Sequence, residues 1–132
     1  MVRQIMTHEH IMQYALAKNG AYLDYPFGED VPIAKVKSPS QKQGKIFTQV
    51  FYLHGDPKMT LNCTPEMADF YRQAYPGSVV RGWHCPPMQQ PFFNTVSLDG
   101  SVPDDEIYAM IDHAYATVVA KLPKYVQKEL FQ

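Results

Sequence analysis

Apolar positions along the chain recur at helical spacing in some stretches and alternate in others. Ile11 and Ala15, beside Met12 and Leu16, make one stripe of a helix that Thr7 caps and Asn19-Gly20 ends. AYLDYPFG predicts a short strand stopped by Pro26 and Gly28, and Val31 to Lys37 a second. After the polar loop SPSQKQG comes KIFTQVFYL, the strongest strand pattern in the sequence. HGDP turns the chain into KMTLNC, where Met59, Leu61 and Cys63 alternate with Lys58, Thr60 and Asn62. TPEMADFYRQAY predicts a helix with Thr64 as N-cap and Pro65 in its first position. PGSVVRGW predicts a further strand, HCPPMQQP a proline-broken loop, and FFNTVSL the last strand. From about Pro103 to Leu122, the spacing of Ile107, Met110, Ile111, Ala114, Val118 and Leu122 predicts the longest helix. Pro123 breaks it ahead of a short terminal helix.

Strands joined by such short turns cannot be parallel neighbours. The expected class is therefore α+β: one domain over residues 1–132, with an antiparallel sheet of about five or six strands and helices packed on one face. Both alternations of KIFTQVFYL are apolar, with Ile46, Val50 and Tyr52 on one side and Phe47, Phe51 and Leu53 on the other. One side packs on the helices. The second lies under another segment or meets a partner, including a second copy of the chain.

Composition narrows this picture. The 132 residues are 45% hydrophobic and 13% aromatic, enough for an ordinary core without staples. No apolar run is long enough to span a membrane, and MVRQIMTHEHIM lacks the apolar centre of a signal peptide. Cys63 and Cys85 form no CxxC pair, so the expectation is a cytoplasmic protein with reduced thiols. A net charge of −1 shows none of the basic excess usual in nucleic-acid binders.

The stretch FFNTVSLDGSVPDDEIYAM, residues 92–110, gathers four acids near a glycine. Asp99-Gly100 reads as a turn pair, and Asp104, Asp105 and Glu106 fill a first helical turn, where carboxylates meet the helix dipole. The acids are punctuation, not a catalytic or metal site. In His8-Glu9-His10 the two histidines are two apart on a helix and diverge, whereas zinc needs ligands four apart. Cys85 follows His84 directly, which is poor geometry for a nucleophile and base, and Cys63 belongs to the inward alternation. Asp112-His113 reads as a solvated helix face. No glycine loop has the phosphate-binding pattern. The sequence therefore predicts no catalytic residue, no metal and no cofactor.

Lys37, Lys42 and Lys45 gather around the SPSQKQG loop, and Lys58 sits in the next turn. Successive hairpin turns lie at opposite ends of their shared strand, roughly 27 Å apart at ~3.3 Å per residue. These lysines cannot form one anion pocket, but two loop tips can straddle an extended polymer. Arg81 and Trp83 offer a further cation and a stacking ring.

PFG at 26–28, Lys35-Val36, GKIF at 44–47, LNCTPEMADFY from 61, YPG at 75–77, His84, NTVSLDGSVPDDEIYAMIDHAY from 94 and VVAKLP from 118 together resemble the MmcQ/YjbR family. The likeness is collinear over roughly 20–124. It implies a frataxin-like (CyaY-like) α+β fold and double-stranded DNA binding through two hairpin wings. Lys35, Lys45, His84 and Asn94 stand where the family pattern expects them. The chain departs from that pattern at Asn62, where a lysine is common, and at Cys85-Pro86-Pro87-Met88 and Phe93. The departures remove positive charge, and each missing phosphate contact lowers affinity and salt dependence. The frataxin likeness also raises iron binding on an acidic first helix, but that helix carries only Glu9.

The expectation from sequence is thus a non-enzymatic binding domain. It would hold double-stranded DNA weakly through Lys35, Lys37, Lys42, Lys45, Lys58, Arg81, Trp83, His84 and Asn94. The alternative is a protein- or small-ligand-binding module using the second sheet face and the 83–93 loop.

Overall fold

The computed structural model describes residues 6–83 and 85–131. Helix α1 (His8–Leu16) opens where Thr7 accepts a hydrogen bond from the His10 amide at 3.1 Å. It is followed by β1 (Ala21–Asp24), β2 (Ile33–Val36), β3 (Lys45–Leu53) and β4 (Asp56–Asn62). Then come α2 (Pro65–Ala74), β5 (Val79–Arg81), a single 3-10 turn at Gln90–Phe92, and β6 (Phe93–Ser97). Helices α3 (Asp104–Ala120) and α4 (Lys124–Leu130) close the chain.

The six strands form one antiparallel sheet in the order β1-β2-β3-β4-β6-β5. Strands β1 to β4 are a meander. Helix α2 then carries the chain past the place of β6 to the far edge, and β6 returns between β5 and β4 through the proline loop. The α+β class and the helix-backed antiparallel sheet agree with the sequence pattern. So do the long-helix residues Ile107, Met110, Ile111, Ala114, Val118 and Leu122, all buried against Phe47, Val50, Met59, Leu61 and Val96.

Three local readings are corrected. The β3–β4 turn is His54-Gly55 alone, both at positive φ (51° and 85°), so Asp56, Pro57 and Lys58 belong to β4. Two left-handed residues match the twist of the flanking strands, and a four-residue turn is unnecessary. Asp112-His113 is a solvated face only in part: Asp112 is exposed, yet both side chains bridge helices. Asp112 accepts from Tyr14 Oη at 2.7 Å and pairs with Lys18, pinning α3 to α1. His113 Nε2 accepts from the Thr64 amide at 3.1 Å, tying α3 to the cap of α2.

The third correction concerns the faces of β3. Ala34 pairs with Thr48 but Lys35 pairs with Ile46, which leaves Phe47 as a bulge. Phe47 is fully buried in the helix-side core, its ring edge-on to Tyr115 at 5.4 Å. The extra residue reverses the alternation, since the side-chain period in a strand is two. Phe47, Val50 and Tyr52 therefore share the helix side, while Ile46, Gln49 and Phe51 share the other.

The turn stretch at 98–106 behaves as read. Asp99 accepts from the Ser101 amide at 3.0 Å, Pro103 caps α3, and Asp104, Asp105 and Glu106 occupy its first turn.

Candidate functional site

The sheet face away from the helices carries three aligned rows. Ile46 lies near the start of β3, and Asn62 at the end of β4 stands opposite Phe93 at the start of β6. Gln49, Thr60 and Thr95 stand opposite one another across β3, β4 and β6, and Phe51, Lys58 and Ser97 do the same one step on. The middle row is polar, and the row beyond it sets Lys58 and Ser97 beside Phe51. Thr60 and Thr95 share a hydroxyl hydrogen bond of 2.8 Å, and Thr95 Oγ1 also accepts from the Trp83 amide at 2.8 Å. The sheet thus holds the start of the 83–92 loop by a backbone bond, and that loop turns over the face.

Gly82 makes this turn possible. A Cβ there would lie 2.7 Å from both Cys85 Sγ and Phe93 Cβ, so the loop root admits only hydrogen. Further along, Gln90 Nε2 donates to the Cys85 carbonyl at 3.1 Å, and the Phe92 carbonyl accepts from the Cys63 amide at 2.8 Å. The loop is tied at both ends and across its middle.

Between this loop and the β1–β2 connection lies a cleft of about 600 Å³. Trp83, Cys85, Pro86 and Phe93 wall one side, and Phe27 with Val31 the other. Ile46, Gln49, Phe51 and Thr60 form the floor. Phe27 leaves two-thirds of its surface (67%) to solvent at the rim. Among the described residues none that lines the cleft is charged. The size, aromatic walls and few floor polar groups are those of a small-molecule site rather than of a flat contact.

Both cysteines are free. Burial pushes the Cys85 thiol above its ordinary range, and the Cys63 thiol up to about 11. A raised thiol is mostly protonated and a poor nucleophile near neutral pH. Among the described residues no three His, Cys, Asp or Glu side chains gather as metal ligands.

A smaller hollow of about 400 Å³ lies at the end of the sheet, where β3 begins and α3 finishes. Lys45, Ile46, Asn62, Val118, Lys121 and Leu122 line it. Ile46 and Asn62 are common to both hollows.

Of the nine residues singled out for a duplex, the eight that are described are dispersed. Lys35 pairs with Asp24 at 2.8 Å, Lys58 donates to Ser97 Oγ at 2.7 Å, and Lys37 lies 5.1 Å from the Tyr22 ring centre. Asn94 is 1% exposed; its carbonyl accepts from Arg72 at 3.2 Å and its amide donates to the Ala68 carbonyl at 3.1 Å. This corrects its reading as a contact residue, because a side chain spent on joining α2 to β6 has no face to offer. Lys42, Lys45 and Arg81 are exposed. Arg81 is on the edge strand, in register with Asn94, Leu61 and Thr48, hence three strands or about 15 Å from β3. Trp83 lines the cleft, and His84 lies outside the described residues.

The second sheet face and the 83–93 loop are visible in the sequence as surplus apolar alternation and a proline cluster. Phe27, Val31, Gln49 and Lys121 are not, since nothing local says that the β1–β2 connection and the end of α3 reach this face.

The YjbR family profile matches residues 16–117. The YjbR protein of Escherichia coli K12 is 31% identical over 127 residues, covering 96% of this chain and 99% of its own. A crystal structure of a Deinococcus radiodurans protein with a DUF419 domain superposes with a TM-score of 0.82 at 23% identity, covering 96% of this chain and 88% of that one. A Pseudomonas syringae protein structure gives 0.68 at 16% identity, covering 86% and 99%. The two structures share the fold.

Proposed function

The chain belongs to the YjbR family, and we propose that it is a binding domain, not an enzyme, that takes a small, largely apolar ligand into the cleft on its open sheet face. The observation that carries this reading is the cleft itself, about 600 Å³ with aromatic walls and, among the described residues, no charged lining residue. Its loop wall is anchored by the Trp83–Thr95 and Cys63–Phe92 hydrogen bonds, so a ligand meets a preformed surface and loses less affinity to ordering it. The lone tryptophan, Trp83, is part of that wall and reports occupancy by its fluorescence.

The test is titration with a neutral apolar dye, N-phenyl-1-naphthylamine, followed by dye emission and Trp83 quenching. The expected result is saturable one-to-one binding, insensitive to salt and weakened at least about tenfold by Gln49→Phe, which fills the floor. A tenfold loss corresponds to about 1.4 kcal/mol. Binding unaffected by Gln49→Phe in a folded variant would sink the reading.

Double-stranded DNA held through Lys42, Lys45 and Arg81 is the competing proposal, supported by the exposure of those three cations. A labelled random duplex at about 50 mM and 200 mM salt separates the two, because phosphate contacts weaken steeply over that range. Duplex binding that collapses with salt and is lost on Lys42→Glu with Lys45→Glu would favour it.

A further inference from the structure

We infer that the ligand of this cleft is an amphipathic anion, an apolar body with a carboxylate or phosphate head, whose head sits at Lys45 and Lys121; this rests on the cleft being the binding site. The two hollows share Ile46 and Asn62 in their linings, which places the second beside one end of the first. Their chemistry differs sharply. Among the described residues the lining of the large hollow holds no charge, whereas that of the small one holds two, both positive. Val118 and Leu122 beside the lysines lower the local dielectric, which strengthens any charge pairing made there.

Among the described residues neither lysine has a carboxylate partner, the ion pairs there being Lys18–Asp112 and Lys35–Asp24. Two other cations stand in register with floor residues: Lys35, opposite Ile46, is paired with Asp24, and Lys58, opposite Phe51, donates to Ser97 Oγ at 2.7 Å. Lys121 leans toward the loop that walls the cleft, with Nζ 5.6 Å from the Phe92 ring centre. Two like charges in one hollow repel each other and are relieved by an anion, not by a neutral or cationic group. An uncharged body and an anionic head are the one arrangement that satisfies both hollows.

Three probes with the same tail decide this: decanoate, decanol and decyltrimethylammonium, each titrated below its micelle concentration against Trp83 fluorescence at low salt. Decanoate is expected to bind about fivefold more tightly than decanol, the size of two exposed ion contacts, and the ammonium more weakly than either. Decyl phosphate is expected to match or exceed decanoate. Shortening decanoate to octanoate should weaken binding by up to about fourfold per methylene if the tail is buried in the cleft. Lys45→Ala with Lys121→Ala, both exposed positions, should abolish the preference for decanoate and leave decanol unchanged. Salt should erode decanoate binding and spare decanol. Equal binding of decanoate and decanol would overturn the head-group assignment while leaving the cleft in place. No binding of any of the four decyl probes would overturn the cleft reading itself.

Discussion

Removing the ring of Phe47 is expected to cost about 3–5 kcal/mol in chemical denaturation, the usual range for a buried aromatic cut to alanine. The side chain is fully buried and packs against Tyr115, and it is also the bulge residue that decides which side chains of β3 face the cleft. Gly82→Ala makes a different case. Its new methyl would sit 2.7 Å from Phe93 Cβ, which cannot rotate away, so about 1–3 kcal/mol of strain is expected together with loss of dye binding as the loop root shifts. Thermal unfolding and the dye titration on the same sample check both parts; a stable variant that binds normally would contradict the packing described. Neither role is readable in the sequence. KIFTQVFYL carries no mark of a bulge, and Gly82 before Trp83 reads as an ordinary strand end until Phe93 is known to lie against it.

At the scale of elements, the helices are joined to one another by polar contacts as well as by their apolar faces. Burial alone would raise the Asp112 carboxyl, but hydrogen bonds from Lys18 and Tyr14 bring it below its usual range. The same contact, with burial adding to it, pushes the Tyr14 hydroxyl up to about 12. His113 is the more telling group. Burial holds it below its ordinary value near 6.5, and its Nε2 accepts from the Thr64 amide, which requires the neutral ring. The folded state therefore binds this proton less readily than the unfolded chain does. The stability it supports is complete above about pH 6.5 and declines as pH falls toward the folded pKa, by at most about 1.4 kcal/mol per pH unit. His8, also lowered by burial, adds a decline of the same sign. Urea denaturation from pH 7.5 to 5 should show a shallower acid loss in His113→Gln, and an unchanged slope would refute the link. The helices themselves were legible: Thr7 and Thr64 cap where their residue types suggest, and the stripe of α3 packs as its spacing requires. Asp112-His113 was not, because two polar residues on a helix look the same whether they face water or a second helix.

For the whole molecule, the decisive comparison is between the open-face cleft and the scattered cations, and the dye, decyl and duplex titrations place them in direct competition. Dispersal of Lys35, Lys37, Lys58 and Asn94 into internal contacts follows from the sheet register, which sets who stands beside whom across β1 to β6. What the sequence by itself determined was local: the order of helices and strands, the turn chemistry around Asp99-Gly100, the antiparallel class that short turns impose, and the family pattern carried from PFG to VVAKLP. These follow from backbone preferences and side-chain periodicity, which act over a few residues and survive any tertiary arrangement. What only the tertiary structure decided was which face of β3 is the core, and that Phe27, Gln49 and Trp83 surround one cleft while Lys45 and Lys121 share its end. Those depend on a single inserted residue shifting a two-residue period, and on loops more than fifty positions apart closing over the same sheet. Neither the shift nor the closure has a signature in any local window of the chain.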